Sequence, residues 1–201
     1  MSKMKRILYI CGDTTLTGGI EKYNADFITA ILGTGSEISV VYRKAGGWVQ
    51  KVEFAIRCLW ATIVFRPNHL ICGHLNFSPI ALLLAVFFRT GFSINLYGIE
   101  AICINDFFSK KAVKKADYLI VISEYTKQLL AEQFDIDQKK VFMLVSSVNE
   151  NEFFIKSNKE ALKSLIGVSG RPIILTLSRL SSDEQKGQHL VLAAMPRVLE
   201  H

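Results

Sequence analysis

Two stretches, Arg6-Ile7-Leu8-Tyr9-Ile10-Cys11 and Leu16-Thr17-Gly18-Gly19-Ile20-Glu21-Lys22-Tyr23, decide how the rest of the chain reads. The first is a continuous apolar run of strand length, the pattern left by a parallel strand buried on both faces. The second leads into apolar positions at helical spacing, Ile20, Tyr23, Phe27, Ile28, Ile31 and Leu32, which end at Gly33 and Gly35. Strand, glycine loop and helix make a βα unit. Paired glycines at the helix start leave backbone N–H donors unobstructed, and together with the helix dipole these favour an anion. An exposed helix start contributes only about 0.3–1 kcal/mol to holding one, so a phosphate there calls for arginine or lysine from elsewhere.

Working outward, the βα pattern repeats. Ile38 to Tyr42 reads as a strand, Val49 to Phe65 as a helix stopped by Pro67, and His69 to Cys72 as a strand. Helix Phe77 to Arg89, strand Phe92 to Tyr97, helix Ile102 to Lys115, strand Tyr118 to Ile122, helix Glu124 to Phe134 and strand Val141 to Val145 follow. The alternation predicts an α/β fold, an open Rossmann-like parallel sheet with helices on both faces. Such sheets bind ligands outside the carboxyl ends of their strands. The residues there are Gly12 to Glu21, Gly73-His74-Leu75-Asn76, Gly98-Ile99-Glu100, Ser123-Glu124 and Ser146-Ser147. Asn149 to Lys159 reads as a linker. Glu160 to Ile166 is a short helix, Ile173 to Leu177 a strand, and His189 to Leu199 a helix, a fresh but incomplete βα unit. The expected domains are 1–155 and 156–201, the second cut short, because one strand and one helix cannot cover the apolar face they present.

Composition narrows the class without naming it. With half of the 201 residues hydrophobic, a core is available, and 24 Lys+Arg against 18 Asp+Glu favour an anionic partner without choosing among lipid, nucleotide and nucleic acid. Cys11, Cys58, Cys72 and Cys103 sit in apolar contexts with no CxxC pair, the usage of reduced, buried thiols in a cytosolic protein. Lys3-Met4-Lys5-Arg6 leads straight into a strand rather than a signal peptide, and the apolar run Ile80 to Phe88 is about half of the ~20 residues a spanning helix needs.

Several residues carry candidate chemistry. Arg179 and Lys186 flank a loop after a buried strand, and Lys186-Gly187 opens a helix, so both charges suit a phosphate. A charge-assisted hydrogen bond contributes roughly 1.5–3 kcal/mol, more than a dipole alone; the competing reading is a solvated loop pair. His74 follows a strand and is either functional or a satisfied structural histidine. Cys72 and His74 share a strand face but have no third ligand nearby, so zinc is not expected. Lys110, Lys111, Lys114 and Lys115 form a basic helix face opposite Phe107, Phe108 and Val113, suited to anionic lipid or simply to solvent. There is no G-x-G-x-x-G counted from Gly12 and no G-x-x-x-x-G-K-[ST], which disfavours nicotinamide and P-loop chemistry.

Gly18-Gly19-Ile20-Glu21, Tyr97-Gly98-Ile99-Glu100, Ala116-Asp117 with Val121-Ile122-Ser123-Glu124-Tyr125-Thr126, and Ser178-Arg179-Leu180 with Lys186-Gly187 together resemble the retaining glycosyltransferases of family 4, of the GT-B fold. In that family two Rossmann-like domains face each other, the N-terminal one mostly receiving the acceptor and the C-terminal one mostly holding a nucleotide-sugar. The resemblance implies that Gly18 and Gly19 lie near the donor diphosphate and that Arg179 and Lys186 neutralise it as it leaves. It puts Tyr97 near the reacting sugar, where many members have histidine, and places Glu21, His74, Asn76, Glu100 and Ser123 on the acceptor side. It implies no cofactor and no metal. The implied partners are a nucleotide-sugar and a glycan or lipid-linked acceptor, with contact at an anionic membrane and no nucleic acid, in the cytoplasm during surface polysaccharide assembly. Ser146-Ser147-Val148-Asn149 stands where members often read Asn-Gly-Val-Asp, and the family's E-x7-E motif would fall further along than His201. The alternative reading is a non-catalytic module that binds glycan or a membrane surface.

Overall fold

Six of the apolar runs become strands of one parallel sheet. The structure, a computed structural model, describes residues 5–15, 18–102, 104–151, 153–154, 158–170, 172–178 and 186–200. Strands β1 (Arg6–Gly12), β2 (Glu37–Arg43), β3 (His69–Cys72), β4 (Gly91–Leu96), β5 (Tyr118–Val121) and β6 (Val141–Met143) lie in the order β2-β1-β3-β4-β5-β6, every neighbour parallel. Helices α1 (Gly19–Gly33), α2 (Trp48–Phe65), α3 (Ser78–Phe88), α4 (Ile99–Ile102), α5 (Phe107–Lys115) and α6 (Glu124–Phe134) connect them. The order reverses at β1, which places the switch point, and hence the expected ligand crevice, at the carboxyl ends of β1 and β3.

Side-chain alternation divides the core between the two faces. Leu8, Ile10, Leu70, Cys72, Ile94, Leu96, Leu119 and Val121 point to one face and are covered by α2, α3, α5 and α6 through Phe54, Cys58, Ala81, Val113 and Leu130. Tyr9, Cys11 and Ile71 point to the other, where Phe27, Ile28 and Ile31 of α1 pack against them. Central strands read as unbroken apolar runs because both faces are covered there. Cys11, Cys58 and Cys72 are buried free thiols, each pushed up to about 12 by burial, so all three stay protonated at neutral pH. Cys103 lies outside the described residues.

Three expectations needed adjustment. The run Ile102 to Lys115 is not one helix: α4 ends at Ile102 and α5 begins at Phe107, because Asp106 caps α5, its Oδ1 accepting the Ser109 N–H at 2.7 Å; hydrogen bonds from the Ser109 side chain and N–H hold the carboxyl below the usual carboxylate range. The β3 strand stops at Cys72, so His74 shares no strand face with it; the Cys72 thiol instead donates to the His74 carbonyl at 3.0 Å. Ile173 to Leu177 forms no strand, since a strand exists only as a ladder and no described segment pairs with it. The Ala116-Asp117 pair serves the sheet: the Asp117 carboxylate accepts the Phe92 N–H at 2.8 Å where β4 begins.

The chain divides into two compact units, Met1–Val148, which holds the sheet, and Asn149–His201. In the second, α7 (Lys159–Leu165) starts at Asn158, whose Oδ1 accepts the Ala161 N–H at 3.0 Å, and α8 (Gln188–Leu199) starts after Gly187 at φ +67°.

Candidate active site at the carboxyl ends of the strands

The site is built on a buried polar chain that crosses three elements. Tyr9 on β1 donates its hydroxyl to Asn24 Oδ1 on α1 at 2.6 Å, and Asn95 on β4 donates Nδ2–H to the Tyr9 oxygen at 2.9 Å. From the loop after β4, the Tyr97 hydroxyl lies 2.9 Å from Asn24 Oδ1 and 3.0 Å from the Gly73 carbonyl, both acceptors. Burial raises both tyrosines far above the ordinary phenol range, so both hydroxyls are donors and neither is a base at neutral pH. Gly73 is a glycine by necessity: a Cβ there would lie 2.7 Å from Asn24 Oδ1 and 2.8 Å from the Cys11 Cβ. Asn95 Oδ1 is buried and has no hydrogen-bond partner among the described residues.

Four predicted residues converge on this base. His74, capping the turn Leu75–Phe77, stacks on Tyr97 with ring centres 6.1 Å apart, while Tyr23 meets Tyr97 edge-on at 5.3 Å. His74 Nδ1 accepts the Asn76 N–H at 3.1 Å, so the neutral ring carries its proton on Nε2 and presents a donor. Burial lowers its basicity, opposed by the carboxylates of Glu100 and Glu21. Glu100 is held in turn by the Tyr97 N–H, which donates to its Oε1, across Gly98, whose φ of +118° suits glycine.

At the glycine loop an acidic side chain lies beside the helix start. Gly18 is the extended N-cap of α1 and makes no side-chain cap, but the Glu21 carboxylate folds back onto it, its Oε2 occupying the space a Gly18 Cβ would need. The helix start thus already has an acidic side chain beside it, the arrangement a helix dipole favours. Gly19 has open space where a side chain would be.

The remaining predicted residues lie around or apart from this centre. Asn76 lines a pocket of about 490 Å³ with Arg43, Lys51, Phe77 and Asp106. Ser123 uses its hydroxyl to cap α6, accepting the Thr126 N–H at 3.2 Å. Lys186 is exposed in the second unit, and Arg179 lies outside the described residues. The lysines of α5 are a surface face as expected, but Phe107 and Phe108 are exposed beside them and only Val113 is buried. Among the described residues no three His, Cys, Asp or Glu side chains are grouped to hold a metal.

Sequence reasoning passed over Tyr9, Asn24 and Asn95. The available signal was a polar side chain inside each of three otherwise apolar buried patterns, Ile-Leu-Tyr-Ile on β1, Tyr-Asn-Ala on α1 and Ser-Ile-Asn-Leu on β4.

A parallel sheet flanked by helices in this way is the Rossmann-like fold of GT-B glycosyltransferase domains. Solved structures bear the likeness out: HepE (Alr3699) of Anabaena in complex with UDP and glucose matches with TM-score 0.66 and 15% identity over 96% of this chain and 58% of that one. A glycosyltransferase from Rickettsia africae ESF-5 matches with TM-score 0.56 and 17% identity over 98% and 58%. UGT89C1 of Arabidopsis thaliana complexed with quercetin matches with TM-score 0.54 and 13% identity over 97% and 63%. The chain therefore spans less than two thirds of each of these neighbours. No family model matches the sequence, and no curated protein does either.

Proposed function

We propose that this chain is the acceptor-side part of a nucleotide-sugar-dependent, retaining glycosyltransferase of family 4 type, moving a hexose to a glycan or lipid-linked acceptor in surface polysaccharide assembly in the cytoplasm. One observation carries the reading: His74, Tyr97, Glu100, Glu21 and Asn24 gather at the switch point of the sheet, in a fold shared with proteins that bind UDP and sugars. A donor-rich aromatic floor with two carboxylates suits sugar hydroxyls, which both give and accept hydrogen bonds.

Each group has a role in this account. His74 Nε2–H donates to a sugar oxygen, Glu100 and Glu21 accept from hydroxyls, and Tyr97 positions His74 by stacking. Neither Tyr97 nor His74 is placed as the base, so the donor phosphate takes the acceptor proton, and transfer proceeds with retention. Gly18 and Gly19 let the donor diphosphate approach the backbone, and Arg179 and Lys186 supply the countercharge as it departs. No metal is needed where two cations hold the leaving group. Binding donor requires Glu21 to give way at the helix start.

Assayed within a polypeptide of the neighbours' length against a panel of nucleotide-sugars, Arg179→Ala and Lys186→Ala should each lower kcat/KM at least tenfold. Unchanged turnover in both removes their roles. The 201-residue chain by itself should show negligible transfer, because it brings few contacts to a nucleotide; robust turnover would overturn that expectation.

A further inference from the structure

We infer that the pocket between β2, α2 and α5 is a further acceptor subsite and takes a sugar that bears a negative charge, as a carboxylate or a phosphate ester. The pocket, of about 490 Å³, opens at the carboxyl end of β2. Arg43 is the last residue of that strand, and alternation puts it on the same side as Val41, the side that α2 covers. Lys51 reaches the pocket from the first turns of α2, where Phe54 and Ala55 follow at helical spacing. The Phe54 and Phe77 rings meet with centres 5.3 Å apart, and Phe77 lies 6.2 Å from the His74 ring. One turn, Leu75–Phe77, thereby joins the pocket to the candidate site: Asn76 lines the pocket while its N–H donates to His74.

Charge and wall chemistry name the occupant. Among the described residues neither Arg43 nor Lys51 forms an ion pair or a side-chain hydrogen bond. Among the same residues the one carboxylate lining the pocket, Asp106, is already held at the start of α5 by the N–H and hydroxyl of Ser109. The first turns of α2 and α3 carry no acidic side chain, so the positive ends of two helices add to the same sign. A guanidinium fork beside an ammonium suits a carboxylate or a phosphate. The rest of the wall suits a sugar ring: Asn76 gives and accepts hydrogen bonds, and Phe54, Phe77 and Pro79 offer apolar faces to ring C–H groups. A bare anion would use the two cations and leave those apolar walls without a purpose. The volume falls within the range of about 300–1,000 Å³ usual for small-molecule sites.

The inference deepens the acceptor reading and rests on it, so the test separates the two. The 201-residue chain, labelled with ¹⁵N, is titrated with glucose, glucuronate, glucose 6-phosphate and inorganic phosphate. Glucuronate or glucose 6-phosphate should move the amides of residues 43–51, 76–78 and 106–109. It should bind about tenfold more tightly than glucose, the factor one charge-assisted hydrogen bond contributes, and the tighter of the two names the charged group. Salt at about 0.5 M, which screens exposed charges over a few ångströms, should remove most of that preference. The double variant Arg43→Gln with Lys51→Gln should bind acidic and neutral sugars alike, while Lys115→Gln, exposed at the end of α5, should keep the preference; circular dichroism establishes that both remain folded. Equal binding of acidic and neutral sugars by the unaltered chain overturns the inference. So does a preference that survives salt or the double variant, or an equal response to inorganic phosphate alone. In each of these cases a neutral glycan that moves residues 97–101 leaves the acceptor reading standing. If no sugar moves either group of residues, both fall.

Discussion

Tyr9 is the residue on which the site's geometry depends most. Its hydroxyl both accepts from Asn95 and donates to Asn24, so Tyr9→Phe leaves a buried amide donor unpaired and removes one of the two donors on Asn24 Oδ1. The expected cost is about 1–3 kcal/mol, the range for stranding a buried polar group, read as a lower urea midpoint with unchanged slope. Gly73→Ala should cost a similar ~1–3 kcal/mol through overpacking against Asn24 and Cys11. Protonation gives a third test at this scale. His69 and His74 are both less basic folded than unfolded, chiefly through burial. For a depressed pKa the unfolded chain binds protons first, so stability is present above the unfolded value near 6.5 and is lost as pH falls below it. The urea midpoint should fall between pH 7.5 and pH 5.5, and less so in the double variant His69→Gln with His74→Gln. None of this polar chain was legible beforehand, because a tyrosine or asparagine within an apolar run looks like a packing residue until three such positions from distant segments meet.

At the level of elements, the sequence is a good guide wherever burial sets the pattern. His69 to Cys72 and Glu124 to Phe134 have the same limits in sequence pattern and in structure, and the succession of the six strands through residue 143 follows from alternation alone. The error at Ile102 to Lys115 shows the limit. Helical spacing continues through the segment, but Asp106 offers its carboxylate to the backbone at Ser109 and starts a new helix. Asp106→Ala should cost about 1 kcal/mol, the usual contribution of such a cap, measured as a drop in thermal midpoint. Ile173 to Leu177 failed for a different reason. A strand needs a partner, and apolar composition states only that the segment would suit one.

Across the whole molecule, topology gathers a polar, aromatic floor at the switch point of the sheet, and the proposed function puts a sugar acceptor there. The switch point at β1 and β3 follows from strand order, and the polar floor beneath it uses β1, α1 and β4, so no single segment could have announced it. Arg179 and Lys186, proposed to complete donor binding, rest on a loop pattern and the family resemblance, and Arg179 lies outside the described residues. The most direct test of the account is a backbone amide shift map of the 22.6 kDa chain labelled with ¹⁵N and titrated with UDP, UDP-hexoses and short glycans. The account predicts perturbations concentrated at residues 18–24, 73–76 and 97–101, strongest with a glycan, and their loss in His74→Ala. A map that leaves these residues unmoved while the ligands bind elsewhere, or no binding by any of them at millimolar concentration, would contradict it.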